Sequence, residues 1–321
     1  MKTNLRLLCQ NLWNSGNQKG IQGERGGGPN ELYSRSRRFR KLVQEYEPDV
    51  IFGQEGKAGW VLFLEKDPYF DEHYTMIYKW DDANTCPDAI NERGKPTYSC
   101  SCTPILFRRE RFELLDQGYF WYGETPHRPS YPYSNTSHYR ICSWVKLRDK
   151  KSGAEFYNYS IHIHNDAHLG GTAGLRSLKQ LEQESAGLPQ GSIAFFGGDY
   201  NILYGDPVYQ QLDWTKLTDL RDVAKNTEKE GLCVAVDPAR ASWRDHLFIK
   251  PHPHVMVNRW EFIRPTYELP EENVEPGVIS DHSGLLVDLC LDGEADGTKY
   301  QKPWQKEWGC KKSPERKKQE K

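Results

Sequence analysis

The sequence lacks the features of a membrane or secreted protein. It has no apolar run of the roughly 18 residues that a membrane-spanning helix needs. Its first segment, MKTNLRLLCQNLW, has neither the apolar core nor the small-residue cleavage site of a secretory signal. We therefore expect a soluble, cytoplasmic protein that does not insert stably into a membrane.

A surplus of one charge is also missing. The 43 basic and 45 acidic residues give a formal net charge of -2, which argues against a protein that holds bulk nucleic acid on a basic surface. The Gly-rich stretch at 13–33 does not have the order of glycine, lysine and hydroxyl residues of a nucleotide-binding P-loop. These absences argue against two common kinds of phosphate-binding protein.

The cysteines fall into two informative groups. Three lie within apolar strand-like segments and are expected to be buried, inert thiols: Cys9, Cys142 and Cys290. Three more lie in a polar segment: Cys86, Cys100 and Cys102. This second group could form a disulfide or a metal knuckle, although the spacing matches no common zinc pattern.

The composition does support a large core. Hydrophobic residues make up 37% of the chain and aromatic residues 12%, despite a mean hydropathy of -0.82. Strand-like runs bounded by Gly, Pro, Asp and Asn recur at 5–13, 49–55, 73–80, 103–109, 141–148, 155–164, 192–201, 242–250 and 284–291. This repetition predicts a protein with extensive β-sheet.

Two helices are predicted, and both lie between strands. One spans 34–48 and is closed by Pro48, and the other spans 172–187 with Thr172 as its candidate cap. Because few strands are separated by helices, we predict an α/β protein with a pair of mixed or antiparallel sheets and helices outside them. We expect one catalytic domain over 1–294 and a basic, solvated tail over 295–321.

Several strands end in carboxylate, amide or imidazole side chains. Strands close at Asn11, Glu55, His162, His164, Asp199 and Asn201; Asp245 and His246 interrupt another strand, and Asp281 and His282 precede the last one. Each residue taken alone is typical of a turn or of the first solvated position after a strand. Their ordered occurrence instead predicts a shared polar site at one sheet edge.

The segments CQNLWN, DVIFGQE, YSIHIHND, FFGGDYN and ISDHSGLLVDL resemble the successive motifs of the endonuclease/exonuclease/phosphatase superfamily. The resemblance extends from about residue 4 to 291, and the segments FWYGETPHRPS, RICSWV and LRSLKQL resemble its bacterial-type hydrolases. It implies a DNase I-like, four-layer α/β sandwich: two packed sheets flanked by helices, with the active site at one end.

The resemblance also implies a phosphoesterase that depends on Mg²⁺ or Mn²⁺. Glu55 supplies a hard oxygen ligand, and Asn11 and Asp281 complete the metal shell directly or through water. His282 acts as the base that activates water, with Asp245 fixing its tautomer. Asp245 is followed by a histidine where the family has an aromatic residue.

Further catalytic and substrate contacts are implied by the same resemblance. Asp199 orients or deprotonates the water, so the identity of the base stays open, and Asn201 donates to a phosphoryl oxygen. Arg140 and Arg176 are candidate phosphate contacts, with ordinary ion pairing as the alternative.

The two neighbouring histidines of YSIHIHND have different expected roles. The family register assigns His162 to the transition state or leaving group. Residues two apart on a strand share a face, so His164 is expected beside it as a second support or a substrate contact. A zinc site formed by His162, His164 and His168 is an open alternative.

The substrate is not determined by these patterns. A phosphorylated small molecule, a lipid head group and a nucleic acid all remain open, as monoester or diester. The alternatives to a phosphoesterase of small molecules are an endonuclease or exonuclease and a non-catalytic protein that binds a phosphoryl ligand. The basic and aromatic segment at 127–140 suits either a sugar phosphate or a nucleobase.

Overall fold

In the computed structural model, which describes residues 3–13, 32–81, 101–133, 139–165, 172–228 and 244–291, the apolar runs form strands. The strands are β1 (Thr3–Asn11), β2 (Val50–Gln54), β3 (Tyr74–Ile77), β4 (Ile105–Arg108), β5 (Phe112–Trp121), β6 (Ile141–Asp149), β7 (Glu155–His162), β8 (Ile193–Asp199), β9 (Thr218–Asp219), β10 (Asn226–Glu228), β11 (Asp245–Ile249), β12 (Val255–Ile263), β13 (Tyr267–Leu269), β14 (Val274–Gly277) and β15 (Gly284–Leu291).

These strands form two large sheets and one hairpin. The first sheet has the order β10-β12-β15-β1-β2-β4-β3, and the second has the order β5-β6-β7-β8-β11-β9. β1 runs parallel to β2 and β7 runs parallel to β8, whereas β15 and β11 are antiparallel to their neighbours. The sheets are therefore mixed, as the sequence predicts, and β13 and β14 form the separate hairpin.

Helices cover the outer faces of both sheets. They are α1 (Leu32–Tyr46), α2 (Ala58–Lys66), α3 (Pro68–His73) and α4 (Ala173–Gly187). The short helix α5 (Leu220–Val223) instead packs Leu220 into the core between the sheets. Phe39 of α1 and Trp60 of α2 pack with Leu8 and Leu286 on the outer face of the first sheet. On the outer face of the second sheet, Leu178 and Leu181 of α4 pack with apolar side chains of β7 and β8.

The central core lies between the two sheets. Leu7 and Phe52 of the first sheet pack there with Phe156, Phe195 and Leu247 of the second. Helices, sheet, sheet and helix thus form four layers, and the predicted DNase I-like α/β sandwich is confirmed. Burial of both faces explains why these strands are nearly continuous apolar runs.

Several elements of the structure were not predicted from the sequence. They are strands β5, β9, β10, β12, β13 and β14 and helices α2, α3 and α5. The β5 pattern was hidden because most of its side chains are partly exposed and a bulge interrupts its pairing with β6. Thr172 does occupy the N-cap position of α4, but its side chain makes no capping hydrogen bond.

The cysteine predictions have a split outcome. Cys9, Cys142 and Cys290 are free and buried, as predicted. Cys102 is also buried, and its Sγ lies 3.1 Å from the carbonyl oxygen of Gly56, while a disulfide or metal role for its group stays a prediction. Cys86, Cys100, the Gly-rich stretch and the predicted tail at 295–321 lie outside the described residues. Within the described ranges, no helix is long and apolar enough to cross a membrane.

The position of the core generates a stability prediction. Leu7 is fully buried between the sheets, whereas Leu62 on α2 is 53% exposed. We expect Leu7→Ala to lower the free energy of unfolding by about 2–5 kcal/mol, because it leaves a cavity in close-packed surroundings. Leu62→Ala is the matched control and should change it by less than about 1 kcal/mol. Urea denaturation measures both, and equal losses would contradict the assigned core.

Candidate active site

The polar strand ends meet because of the sheet topology. The parallel pairing of β1 with β2 places Asn11 opposite Gln54, directly before Glu55. In the second sheet, parallel pairing places His162 opposite Asp199. β11 runs the other way, so its first residue, Asp245, pairs with Asp199. One end of the sandwich therefore collects side chains from both sheets.

Asn11 and Glu55 form the first-sheet half of the cluster. The side-chain nitrogen of Asn11 donates to Asp199 Oδ2 at 3.0 Å and to Glu55 Oε1 at 3.2 Å. Its oxygen accepts the backbone N–H of Trp13 at 2.8 Å, which fixes the orientation of the amide. The amide nitrogen thus faces the two carboxylates, and a metal contact through the Asn11 oxygen stays a prediction.

His162 and Asp199 form the buried centre of the cluster. His162 Nε2 lies 3.9 Å from Glu55 Oε1 and 3.7 Å from Asp199 Oδ2. Burial, followed by the positive charge of Arg140, lowers the pKa of His162 well below its ordinary value, so the ring is neutral at neutral pH. Burial raises the pKa of Asp199 to about 6, because a carboxylate loses its hydration there.

His282 and Asp245 form a hydrogen-bonded pair beside this centre. His282 Nδ1 lies 2.7 Å from Asp245 Oδ2, and its Nε2 lies 3.9 Å from Asp199 Oδ2. An acceptor on Nδ1 fixes the tautomer whose Nε2 lone pair is available as a base. Asp281 lies next to this pair, and burial raises its pKa. The pairing of Asp245 with His282 that the motifs imply is present.

The turn after β8 brings Asn201 to the same site. Its backbone N–H donates to Asp199 Oδ1 at 2.8 Å, and its side-chain nitrogen donates to the Ile163 carbonyl at 2.9 Å. A Cβ on Gly198, whose φ is +148°, would approach the Ile161 carbonyl oxygen to 2.1 Å, so the turn requires glycine there. Glu55 and Asn201 themselves have positive φ, a costly conformation that often occurs at functional sites.

The remaining predicted substrate contacts lie at different distances from this centre. Arg140 precedes β6, interacts electrostatically with Glu55 and Asp199, and has a buried Nε with no hydrogen-bond partner among the described residues. Arg176 instead pairs with Glu124, and its guanidinium carbon lies 4.0 Å from the ring centroid of Tyr133. Within the described ranges, no hydrogen bond or ion pair joins Arg176 to the cluster, so its phosphate role stays a prediction.

His164 follows the end of β7 and is also buried. Because the strand ends at His162, strand alternation does not determine the direction of the His164 side chain. Among the described residues, the groups with metal-ligand spacing include His162 but not His164. His168, the third residue of the alternative zinc site, lies outside the described ranges.

Arg35 on α1 is a site residue that the motif analysis missed. This fully buried guanidinium donates to the carbonyls of Leu12 at 2.7 Å and Trp13 at 2.8 Å, next to Asn11. Burial lowers its pKa to about 10, although the charges of Asp281 and Glu55 oppose this shift. The signal was available in the sequence, since Arg35 has helical spacing with the apolar residues Phe39 and Leu42.

The donor set fits a hard divalent cation. Ligand atoms of Glu55, His162 and Asp199 lie within 4.8 Å of one another, as do those of Asp199, Asp245 and His282. The Asp245 oxygen of the second group is already bonded to His282, which leaves the Glu55 carboxylate of the first group as the better candidate ligand. Carboxylate oxygens with few other protein ligands are typical of Mg²⁺ and Mn²⁺ sites.

Comparison with known proteins agrees with the fold. No sequence-family model matches the chain, and no curated protein is significantly similar to it in sequence. An endonuclease/exonuclease/phosphatase family protein from Bacteroides thetaiotaomicron superimposes with a TM-score of 0.73 at 22% identity, covering 91% of this chain and 100% of that chain.

Two further solved structures are similar. A mannosyl-6-phosphatase from Bacteroides thetaiotaomicron has a TM-score of 0.68 at 22% identity, with 89% of this chain and 99% of that chain covered. D. rerio TDP2 in complex with a single-stranded DNA product has a TM-score of 0.62 at 18% identity, with the same coverages of 89% and 99%. The chain therefore has the DNase I-like fold of the endonuclease/exonuclease/phosphatase superfamily.

The raised pKa of Asp199 generates a prediction for the metal-free protein. Ionisation of Asp199 opposes folding above pH 6 or so, because the folded pKa of about 6 exceeds the ordinary value of 3.8. Asp199→Asn removes this cost, so the free energy of unfolding of the variant relative to wild type should be higher at pH 8 than at pH 4 by up to about 3 kcal/mol. The gain should shrink as the pH falls through 6 and vanish near 4.

Urea denaturation in a chelating buffer between pH 4 and pH 8 measures this dependence. Asp116→Asn, an exposed change on β5, is the control and should give no comparable gain at any pH. A stabilisation by Asp199→Asn that grows toward acid pH would contradict the assigned burial of this carboxylate.

Proposed function

We propose that the chain is a divalent-metal-dependent phosphoesterase that hydrolyses a phosphodiester or phosphomonoester by direct attack of water. The observation that carries this proposal is the convergence of Glu55, His162 and Asp199 with the bonded pair His282 and Asp245. These side chains come from both sheets and from distant parts of the chain. A set of this kind supplies cation ligands, a base and a hydrogen-bond donor within one small volume.

The attacking water lies between His282 Nε2 and Asp199 Oδ2 in this proposal. Those two atoms are 3.9 Å apart, so one water can contact both. His282 takes the proton, because Asp245 bonds to its Nδ1 and stabilises the imidazolium that forms. Asp199 orients the water.

The phosphoryl group is held by positive charge and by neutral donors. Arg140 contributes a buried guanidinium with an unused N–H, and this suits a phosphoryl oxygen. His162 is neutral and its Nε2 faces the carboxylates, so a proton there can be donated to the transition-state oxygen or the leaving group. Glu55 would hold Mg²⁺ or Mn²⁺, and the cation would neutralise charge on the phosphoryl oxygens.

Two solved structures of the same fold favour different substrates. One is named a mannosyl-6-phosphatase, which suggests a sugar phosphate monoester, and the other holds a single-stranded DNA product. The near-neutral net charge favours a small phosphorylated molecule over long nucleic acid. We therefore place a small phosphate ester first and a nuclease second.

Substitution at Glu55 and His282 tests the proposed reaction. With bis-p-nitrophenyl phosphate and Mg²⁺, Glu55→Gln and His282→Ala should each lower kcat/KM by about 100-fold or more, because each removes a group that acts on the transition state. Excess Mg²⁺ should recover part of the activity of Glu55→Gln and none of that of His282→Ala. Glu113→Gln, a change at an exposed residue of β5, is the control and should retain full activity.

The outcomes distinguish a phosphoesterase from a non-catalytic protein that binds a phosphoryl ligand. Full activity of either site variant would overturn the proposed assignment. Tight binding of phosphorylated ligands by the wild-type protein without any turnover would favour the non-catalytic binding protein.

A substrate panel separates the two proposed substrate classes. Sugar phosphates, inositol phosphates, phospholipid head groups and single-stranded DNA should be compared at two salt concentrations. We expect the highest kcat/KM for a small phosphate ester, with weak dependence on salt. A preference for DNA that falls steeply with added salt would instead indicate a nuclease, because backbone binding releases counterions.

A further inference from the structure

A second buried histidine–aspartate pair lies behind the catalytic pair. His246 and Asp219 are both buried, and His246 Nδ1 lies 2.9 Å from Asp219 Oδ2. His246 directly follows Asp245 on β11, and adjacent strand residues point to opposite faces of a sheet. The proposed reaction makes no use of this second pair.

Both ring nitrogens of His246 face groups that accept hydrogen bonds. Nδ1 meets the Asp219 carboxylate, and Nε2 lies 2.9 Å from the carbonyl oxygen of Ile202. The carboxylate is already an acceptor, because Asp219 also receives the Tyr209 hydroxyl at 3.0 Å and the Arg221 backbone N–H at 3.0 Å. Both bonds of the ring therefore require a proton on each nitrogen, which makes His246 an imidazolium.

The electrostatic surroundings agree with this protonation state. Burial disfavours the charged ring, but the hydrogen bond to Asp219 and the negative charge of Asp219 outweigh burial and raise the pKa of His246. Phe248 stacks on the ring with centroids 5.3 Å apart. The ring is thus held by two polar bonds and by an aromatic contact.

Through Ile202, His246 is bonded to the turn that follows β8, residues 199–202, which we call the catalytic turn. Ile202 follows Asn201, whose backbone N–H donates to Asp199 and whose positive φ is conformationally costly. Such a turn keeps its conformation only when neighbouring groups hold it. His246 holds it through the hydrogen bond from Nε2 to the Ile202 carbonyl. A shift of this carbonyl moves Asn201 and, through it, the carboxylate of Asp199.

We propose that His246 is a positioning residue, whose ring, anchored on Asp219, fixes the Ile202 carbonyl and thereby sets Asp199 and Asn201 relative to His282. The inference deepens the proposed function and rests on it for its kinetic readout. It assigns a role to the histidine that stands where the related motif has an aromatic residue.

Substitution of His246 and of Tyr209 separates positioning from simple structural support. Tyr209 bonds to the same Asp219 carboxylate and also approaches Asp222, but no described hydrogen bond joins its side chain to the catalytic turn. His246→Phe should lower kcat by about 100-fold with KM changed less than about twofold, since a misplaced catalytic group slows the chemical step. His246→Gln keeps an amide donor for Ile202 and should recover part of the lost kcat.

Tyr209→Phe is the matched control. It should lower the melting temperature, as His246→Phe does, yet keep kcat within about twofold of wild type, because the Ile202 bond is intact. Equal losses of kcat in both variants, or unchanged kcat in His246→Phe, would overturn the proposal. All rates are measured well below the melting temperature of the least stable variant.

A spectroscopic measurement tests the inference without any turnover. In ¹⁵N NMR spectra of the wild-type protein at pH 7.5, both ring nitrogens of His246 should be protonated, and His246→Phe should shift the amide signals of Asn201 and Ile202. A single protonated nitrogen, or unmoved amide signals, would overturn the positioning role. A wild-type protein with no phosphoesterase activity but with both NMR signatures would count against the proposed function alone.

Discussion

The crowding of carboxylates at one end of the sandwich is the constraint on which the rest of the site depends. Glu55, Asp199, Asp245 and Asp281 come together there, and burial raises the pKa of both Asp199 and Asp281. Like charges in a partly dehydrated site repel strongly, so such a cluster needs compensating positive charge. A divalent cation is a compensation that the oxygen donors fit, and in the proposed hydrolysis it would neutralise charge on the phosphoryl oxygens.

Side chains of the protein supply further positive charge and hydrogen bonds to this cluster. Arg35 brings a buried positive charge from α1 and binds the carbonyls beside Asn11, while Arg140 brings another from the start of β6. The pair of His282 with Asp245 faces the site, and the pair of His246 with Asp219 supports the turn behind it. Adjacent residues of β11 thus serve the front and the back of the catalytic turn. Many contacts hold each residue of the site in place, and these contacts explain how Glu55 and Asn201 keep their costly positive φ.

Much of the fold and the composition of the site were accessible from the sequence. Strands such as β8 and β15 were found because they are nearly continuous apolar runs, and the polar residues that flank such strands identified Glu55 and His282. Strand β5 was missed because it is an edge strand with most of its side chains partly exposed. Arg35 was missed because arginine is normally read as a solvent-exposed residue. Only its helical spacing with Phe39 and Leu42 indicates that it lies on the buried face of α1.

Hydrogen bonds between residues far apart in the chain could not be predicted from local sequence patterns. Nothing near His246 in the sequence indicates that Asp219 accepts its Nδ1 proton, since 27 residues separate them. The orientation of the Asn11 amide likewise depends on the backbone of Trp13 and on Asp199, which is 188 residues away. Motifs therefore gave the identity of the groups, whereas their hydrogen-bond roles required the fold.

Anomalous X-ray diffraction from crystals grown with Mn²⁺ would locate the proposed metal site. We expect an anomalous peak about 2.0–2.2 Å from a carboxylate oxygen of Glu55, on the side that faces Asp199 and His162. Loss of this peak in Glu55→Gln, with the fold unchanged, would complete the prediction. Full Mn²⁺ occupancy elsewhere in the protein, with no peak beside Glu55, would contradict a metal-dependent phosphoesterase built on this cluster.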